Sequence, residues 1–265
     1  MTNLRVGKGR LDPSSRSAHY ALQRSLAAYE FAKPFVKGRR VLDVGCGAGH
    51  GTIYVAGETL HLVGMDLEPA AVAYAKKAFG QPSLDFVCCN LFSPSFLRQT
   101  FDTILSFQVV EHLPDPMRYF QELNALLADG GILIMATLNR EKANAGLHPD
   151  HVKEYSFDEF TALCRSYFSS ASFYGLFGNE RYAAAGMEEA RFGRLFLRLD
   201  PWGLRHRIPR ALWEWVYALC TFLVQSFVSW RLPESKSLSI HDFHISQEDL
   251  DEALDFIVIC TKESS

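Results

Sequence analysis

The run Val41-Leu42-Asp43-Val44-Gly45-Cys46-Gly47-Ala48-Gly49 decides how this chain folds. A short apolar stretch bounded by turn signals reads as a buried parallel strand. Residues 40–44 supply the strand, the glycines supply a turn, and Thr52 to Gly57 is compatible with a helix. Gly45 and Gly47 allow a sharp turn and a close backbone approach to a ligand, where a Cβ would intrude. Gly49 would let the helix sit close to the sheet.

Working outward, a second apolar run, Leu60 to Met65, ends at Asp66. An acid about 20 residues past a glycine-rich turn can accept hydrogen bonds from both ribose hydroxyls of a nucleoside. A glycine cluster by itself also fits a plain turn, so the spacing to Asp66 carries the weight. Asp43, inside the strand end, is a costly place for a carboxylate unless donors meet it. Loop amides or a ligand ammonium would serve.

Further along, strand and helix signals alternate. Ser14 to Ala32 reads as a helix, and residues 60–65 as a strand. Glu68 to Phe79 reads as a helix with Pro69 in its first turn and Gly80 at its end. Leu84 to Cys89 and Phe101 to Phe107 are strands, and Met117 to Leu127 is an amphipathic helix closed by Asp129-Gly130-Gly131. Ile132 to Thr137 is the fifth strand. Ser156 to Glu159 looks like a capping box, Ser170 to Leu176 is a sixth strand, and Phe256 to Thr261 is the last. The pattern predicts an α/β fold, a doubly wound, mostly parallel sheet of seven strands, with a helical insert before the last strand.

These residues resemble the class I S-adenosylmethionine-dependent methyltransferases. The likeness lies in VLDVGCGAGHGT (41–52), GMDLEP (64–69), FDTILSFQVVEHLPDP (101–116) and LLADGGILIMATLN (126–139). Among subfamilies it looks most like the small-molecule and lipid O-methyltransferases that carry Glu-His after the fourth strand, the ubiquinone-biosynthesis type among them. The resemblance implies S-adenosyl-L-methionine as cofactor and a last strand running antiparallel between the fifth and sixth. It also implies a cofactor set. Asp43, Gly45 and Gly47 would face the methionine end, with Cys46 beside them and Gln108 an added contact. Asp66 would hold the ribose with Leu67 next to it, and Asn90 and Leu91 would meet the adenine. An aspartate often stands where this chain has Asn90. The Asn90 carbonyl can still accept from the adenine amino group, or it can cap the next turn.

Methyl transfer to oxygen needs a group to take the proton, and the candidates are Glu111, His112, His148 and His151. Relatives of this type that bind a divalent ion carry Glu-x-x-Glu-His. Here the stretch is Gln108-x-x-Glu111-His112, which lowers the charge offered to a hard cation, and no metal is expected. The simpler reading is that Glu111 and His112 order the loop by hydrogen bonding.

The 265 residues are 48% hydrophobic with net charge −3, which predicts a globular core and argues against non-specific nucleic-acid binding. Six cysteines form no C-x-x-C pair and read as free thiols in a reducing compartment. The polar start has no apolar core of a signal peptide, so a cytoplasmic protein is expected. Residues 14–178 with 246–265 are assigned to the cofactor-binding domain and 179–245 to a lid, substrate or dimer element. That insert places Arg191, Arg194 and Arg198 at helical spacing, followed by the apolar run Ala211 to Val228. A narrow stripe of Glu214, Ala218, Thr221 and Gln225 on that run suits a pocket lid or homodimer element better than membrane contact. The expected acceptor is a small molecule bearing a hydroxyl, anionic in part and apolar in part. RNA or protein methylation, and cofactor binding without catalysis, are the rival readings.

Overall fold

The computed structural model describes residues 19–92, 97–142, 148, 150–184, 191, 209–232 and 237–263. Eight strands form one sheet in the order β3-β2-β1-β4-β5-β8-β6-β7. They are β1 (Arg40–Val44), β2 (His61–Asp66), β3 (Leu84–Cys88), β4 (Phe101–Phe107), β5 (Leu127–Leu138), β6 (Ser170–Gly178), β7 (Phe243–Ser246) and β8 (Asp255–Thr261). The first five pair in parallel, and β8 runs antiparallel between β5 and β6.

Successive side chains of a strand point to opposite faces, and both faces here are covered. On one face Leu42, Met65 and Ile104 pack with Phe120 and Leu123 of α4 (Pro116–Leu126) and Phe160 of α5 (Phe157–Arg165). On the other, Val41, Leu62 and Leu105 pack with Ala28 and Ala32 of α1 (His19–Val36), Val55 of α2 (His50–Ala56) and Val72 of α3 (Pro69–Phe79). The long helix α6 (Arg210–Arg231) follows, outside this layering. Helix starts obey their capping chemistry. The Asp115 side chain accepts from the Arg118 amide ahead of Pro116, and Ser156 and Glu159 form the expected capping box.

Three boundaries differ from the sequence expectation. The first helix runs on past Ala32 and through Pro34 to Val36, because Ala32 and Val36 are both fully buried. Thr103 Oγ1 donates to the Phe35 carbonyl there, satisfying one acceptor that helix ends leave open. The Asp129-Gly130-Gly131 stretch lies inside β5 rather than before it. Leu127 pairs with Phe101, and the Gly130 amide donates to the Lys262 carbonyl. The sheet has eight strands, not seven. Residues 243–246, of which the sequence reading put 243–245 in the insert, pair antiparallel with the β6 edge.

Of the insert, Arg191 is exposed, while Arg194 and Arg198 lie outside the described residues. The apolar run is helical as α6, and no helix among the described residues is long and apolar enough to cross a membrane. In the stripe proposed for it, Thr221 is half-buried, and the side chains of Glu214, Ala218 and Gln225 lie outside those described.

Candidate active site

The strand order reverses between β1 and β4, and open α/β sheets hold ligands beyond the carboxyl ends of the strands at such a point. A cleft of about 1370 Å³ opens there. Its cofactor end is lined by Gly45, Cys46, Gly47, Asp66, Leu67, Asn90, Leu91 and Gln108, and its other end by Glu111, His112, His148 and His151.

The loop after β1 turns through residues that only glycine adopts easily. Gly45 has φ +77°, and a Cβ there would meet Val109 Cγ2 at 2.4 Å. Gly47 has φ +54° with nothing within 4 Å of where its Cβ would be, so the backbone borders open space on the cleft side. The Gly47 amide donates to Asp66 Oδ2 at 2.9 Å and the Glu68 amide to Asp66 Oδ1 at 2.8 Å. Asp66 is buried, and its carboxylate therefore ties the loop after β1 to the end of β2. Each carboxylate oxygen has two acceptor positions, so one oxygen can serve an amide and a ligand hydroxyl together.

Asp43 stands elsewhere than expected. It is fully buried and does not line the cleft. Its donors are neither loop amides nor a ligand ammonium but Thr52 Oγ1 at 2.6 Å and the Tyr29 hydroxyl at 3.0 and 3.1 Å. Burial pushes its carboxyl up to about 6, against the lowering effect of these two donors. The carboxylate supports the cleft from behind, by holding Tyr29 of α1, which does line it. Asn90 is exposed, and its Oδ1 accepts from the Phe92 amide at 3.0 Å, the turn-capping arrangement. A second lone pair on that oxygen stays available to a ligand.

Gln108 has φ +55°, a left-handed conformation that is uncommon without glycine. Its backbone amide donates to the Ala136 carbonyl, and Nε2 donates to Asp255 Oδ1 at 3.0 Å. Asp255 in turn receives two bonds from the Arg24 guanidinium of α1, at 2.6 and 2.5 Å. Arg24 also donates to the Leu254 carbonyl and to the Tyr182 hydroxyl. Arg24 and Tyr182 line the cleft, and sequence reasoning missed both. The pairing spans 231 positions, so no local signal could announce it.

At the far end, Glu111 and His112 sit in a short 3₁₀ turn after β4. Glu111 is fully buried; Oε2 accepts from Thr137 Oγ1 at 3.1 Å, while Oε1 has no partner. Burial first, and then the nearby Asp255 and Glu154 charges, push its carboxyl up to about 8. The Glu111 carbonyl accepts from the amides of Val152 and Lys153, which pins the histidine-bearing loop to the turn. His112 Nδ1 lies 3.0 Å from the Asp150 carbonyl, which can only accept, so Nδ1 carries the hydrogen and Nε2 the lone pair.

His151 Nδ1 lies 2.7 Å from Glu154 Oε1, both side chains being about nine-tenths buried. The His148 ring stacks on His151 at 4.1 Å, and burial together with His151 and His112 pushes its pKa down to about 4. It is therefore neutral near pH 7. Among the described residues, Glu111, His112 and His151 each bring one ligand atom within 4.8 Å of the others, a set that could hold a divalent ion. Glu154 was not foreseen, though its i,i+3 spacing from His151 was open to view.

Comparison with known proteins agrees with this geometry. Residues 42–135 match the family described as a methyltransferase domain. A Mycobacterium tuberculosis protein described as a "probable S-adenosylmethionine-dependent methyltransferase" is 30% identical over 55% of this chain and 54% of its own length. The ubiquinone biosynthesis O-methyltransferase of Parvibaculum lavamentivorans is 33% identical over 49% of this chain and 50% of its own. Thus the chain spans about half the length of the curated relatives it matches. A solved S-adenosylmethionine-dependent methyltransferase from Thermotoga maritima superposes with TM-score 0.59 at 13% identity, covering 92% of this chain and 93% of that one, and so supports the fold.

The fold is the Rossmann-like architecture of solved methyltransferases, and residues 42–135 carry the match to a methyltransferase domain. The matched segment, residues 42–135, holds the glycine loop and Asp66, and the open cradle at Gly47 beside the Asp66 carboxylate fits S-adenosylmethionine.

Proposed function

We propose that the protein transfers a methyl group from S-adenosylmethionine to a hydroxyl of a small molecule. The observation that carries this reading is a carboxylate-oriented imidazole, His151 with Glu154, in the same cleft as the glycine loop and Asp66. When bound, the cofactor supplies an activated methyl on a sulfonium, so the chain must align the acceptor, exclude water and accept a proton.

Asp66 would hold the ribose diol, Asn90 and Leu91 the adenine, and the Gly45–Gly47 loop with Cys46 and Gln108 the methionine end. His151 would take the hydroxyl proton at Nε2. Of the two oriented imidazoles it is the better base. Its partner is a carboxylate, which stabilises the imidazolium that forms, whereas His112 leans on a neutral carbonyl. A bond to a charged group is worth roughly twice a neutral one. Glu111 and His112 would shape the acceptor end.

Likeness to ubiquinone biosynthesis O-methyltransferases supports oxygen as the acceptor atom. The test is transfer of a labelled methyl group to a panel of phenols, catechols, sugars and long-chain alcohols. Labelling of a hydroxylated compound by the wild type, lost in His151→Ala with cofactor binding retained, is the expected result. Labelling confined to RNA, protein or amines would overturn the reading.

A further inference from the structure

We infer that α6 docks by its outer face on an anionic lipid surface, lying along it rather than crossing it. The inference rests on the helix itself and stands apart from the identity of the acceptor.

α6 has two faces of different fate. Its inner face is tied to the cleft: Tyr217 lines it with its ring 5.4 Å from His148, and Val228 is buried. Its outer face is apolar and open. Leu212, Leu219, Leu223 and Trp230 recur at i, i+7, i+11 and i+18, which is one line along a helix. They are 48%, 42%, 57% and 75% exposed, and Phe222, 61% exposed, flanks the line. A 22-residue helix with this continuous row presents a patch of the kind that marks an interaction site.

Charge decides the occupant. Residues 191–210, which lead directly into α6, contain six arginines and one aspartate in a chain of net charge −3. An apolar row next in sequence to concentrated positive charge matches an anionic headgroup layer over acyl chains. The acidic remainder of the chain would be repelled from that layer, which orients the protein with α6 down. Trp230 near the helix end suits the interfacial zone. No helix among the described residues is long and apolar enough to cross a membrane, and in sequence Glu214 and Gln225 interrupt the apolar run. A second copy of the chain is the rival occupant, which the experiment below separates.

Flotation of the full chain with vesicles tests the inference. One set is phosphatidylcholine alone, the other contains about a third phosphatidylglycerol, enough to give a negative surface potential. The expected result is flotation with the anionic vesicles only, weakened about tenfold or more by the double variant Leu219→Ser, Leu223→Ser, since each side chain contributes apolar burial. Leu97→Ser, at a residue 83% exposed on another part of the surface, should float as the wild type does. Light scattering on the same samples reports the rival occupant. No flotation, with a dimer that the double variant disperses, would assign the face to a second copy and overturn the inference. No flotation with a monomer, or flotation untouched by the double variant, would also overturn it. Unchanged S-adenosylmethionine affinity and circular dichroism in the variants show that each is folded.

Discussion

The hydroxyl of Tyr29 lies 3.0 and 3.1 Å from the two carboxylate oxygens of Asp43, joining the first helix to the end of the first strand. That contact holds a fully buried carboxyl group near the end of the strand, and the burial has a pH signature. The Asp43 carboxyl is raised from 3.8 to about 6, so the folded state binds the proton more tightly than the unfolded chain. The associated stability is fully present below about pH 4 and is lost as the pH rises through about 6, at roughly 1.4 kcal/mol per unit. Asp43→Asn should remove this slope in urea unfolding measured across that window. An unchanged slope would mean that Asp43 does not carry it.

The raised Glu111 carboxyl makes a prediction about rate. It holds its proton below about 8 and becomes an anion above. An anion beside His151 stabilises the imidazolium formed there, so kcat should rise as pH passes through about 8. Glu111→Gln should lose that limb and cost less than about tenfold at neutral pH, whereas His151→Ala should cost about 100-fold or more. A pH profile identical in wild type and Glu111→Gln would count against the coupling.

Asp66 binds two backbone amides and would bind the ribose diol as well. Asp66→Ala should weaken S-adenosylmethionine binding, read by calorimetry, by about 10- to 100-fold, the worth of hydrogen bonds to a charged group. It should also lower the melting temperature, because the Gly47 and Glu68 amides lose their acceptor. Equal affinity in the variant would remove Asp66 from the cofactor site.

Arg24 and Asp255 form a nearly buried pair, with side chains 20% and 4% exposed. Removing one partner strands the other. Arg24→Met should cost about 3–5 kcal/mol in chemical denaturation and speed hydrogen exchange along α1. If α1 amides stayed as protected as in the wild type, the pair would not be what fastens the helix.

If His151 is the proton acceptor, a metal ion on Glu111, His112 and His151 would block it. Added zinc should then inhibit and a chelator should not, as judged by initial rates. Loss of activity on chelation, restored by a divalent ion, would exchange the base mechanism for a metal-assisted one.

Much of this architecture was legible because buried parallel strands declare themselves. Val41, Leu42 and Val44 form an apolar run that ends in glycines, and the matching run ends at Asp66. The seventh strand was not legible. Phe243–Ser246 has four residues, one a histidine, and gains its structure by pairing with the β6 edge rather than from its own pattern. The same physical reason hid half of the cleft. Arg24, Tyr182 and Asp255 meet through tertiary packing across up to 231 positions. The cofactor positions were found because a loop and one acid 19 residues apart are fixed by a local unit, β1-α2-β2. Asp43 was placed at the ligand because its strand end is near it, but alternation along the strand turns its side chain to Tyr29 and Thr52.

The two amides of Val152 and Lys153 hang from the single carbonyl of Glu111. Glu111 and the neighbouring His151 are thereby tied together before any guest arrives. An incoming acceptor meets that wall of the cleft already arranged and spends less binding energy on ordering it.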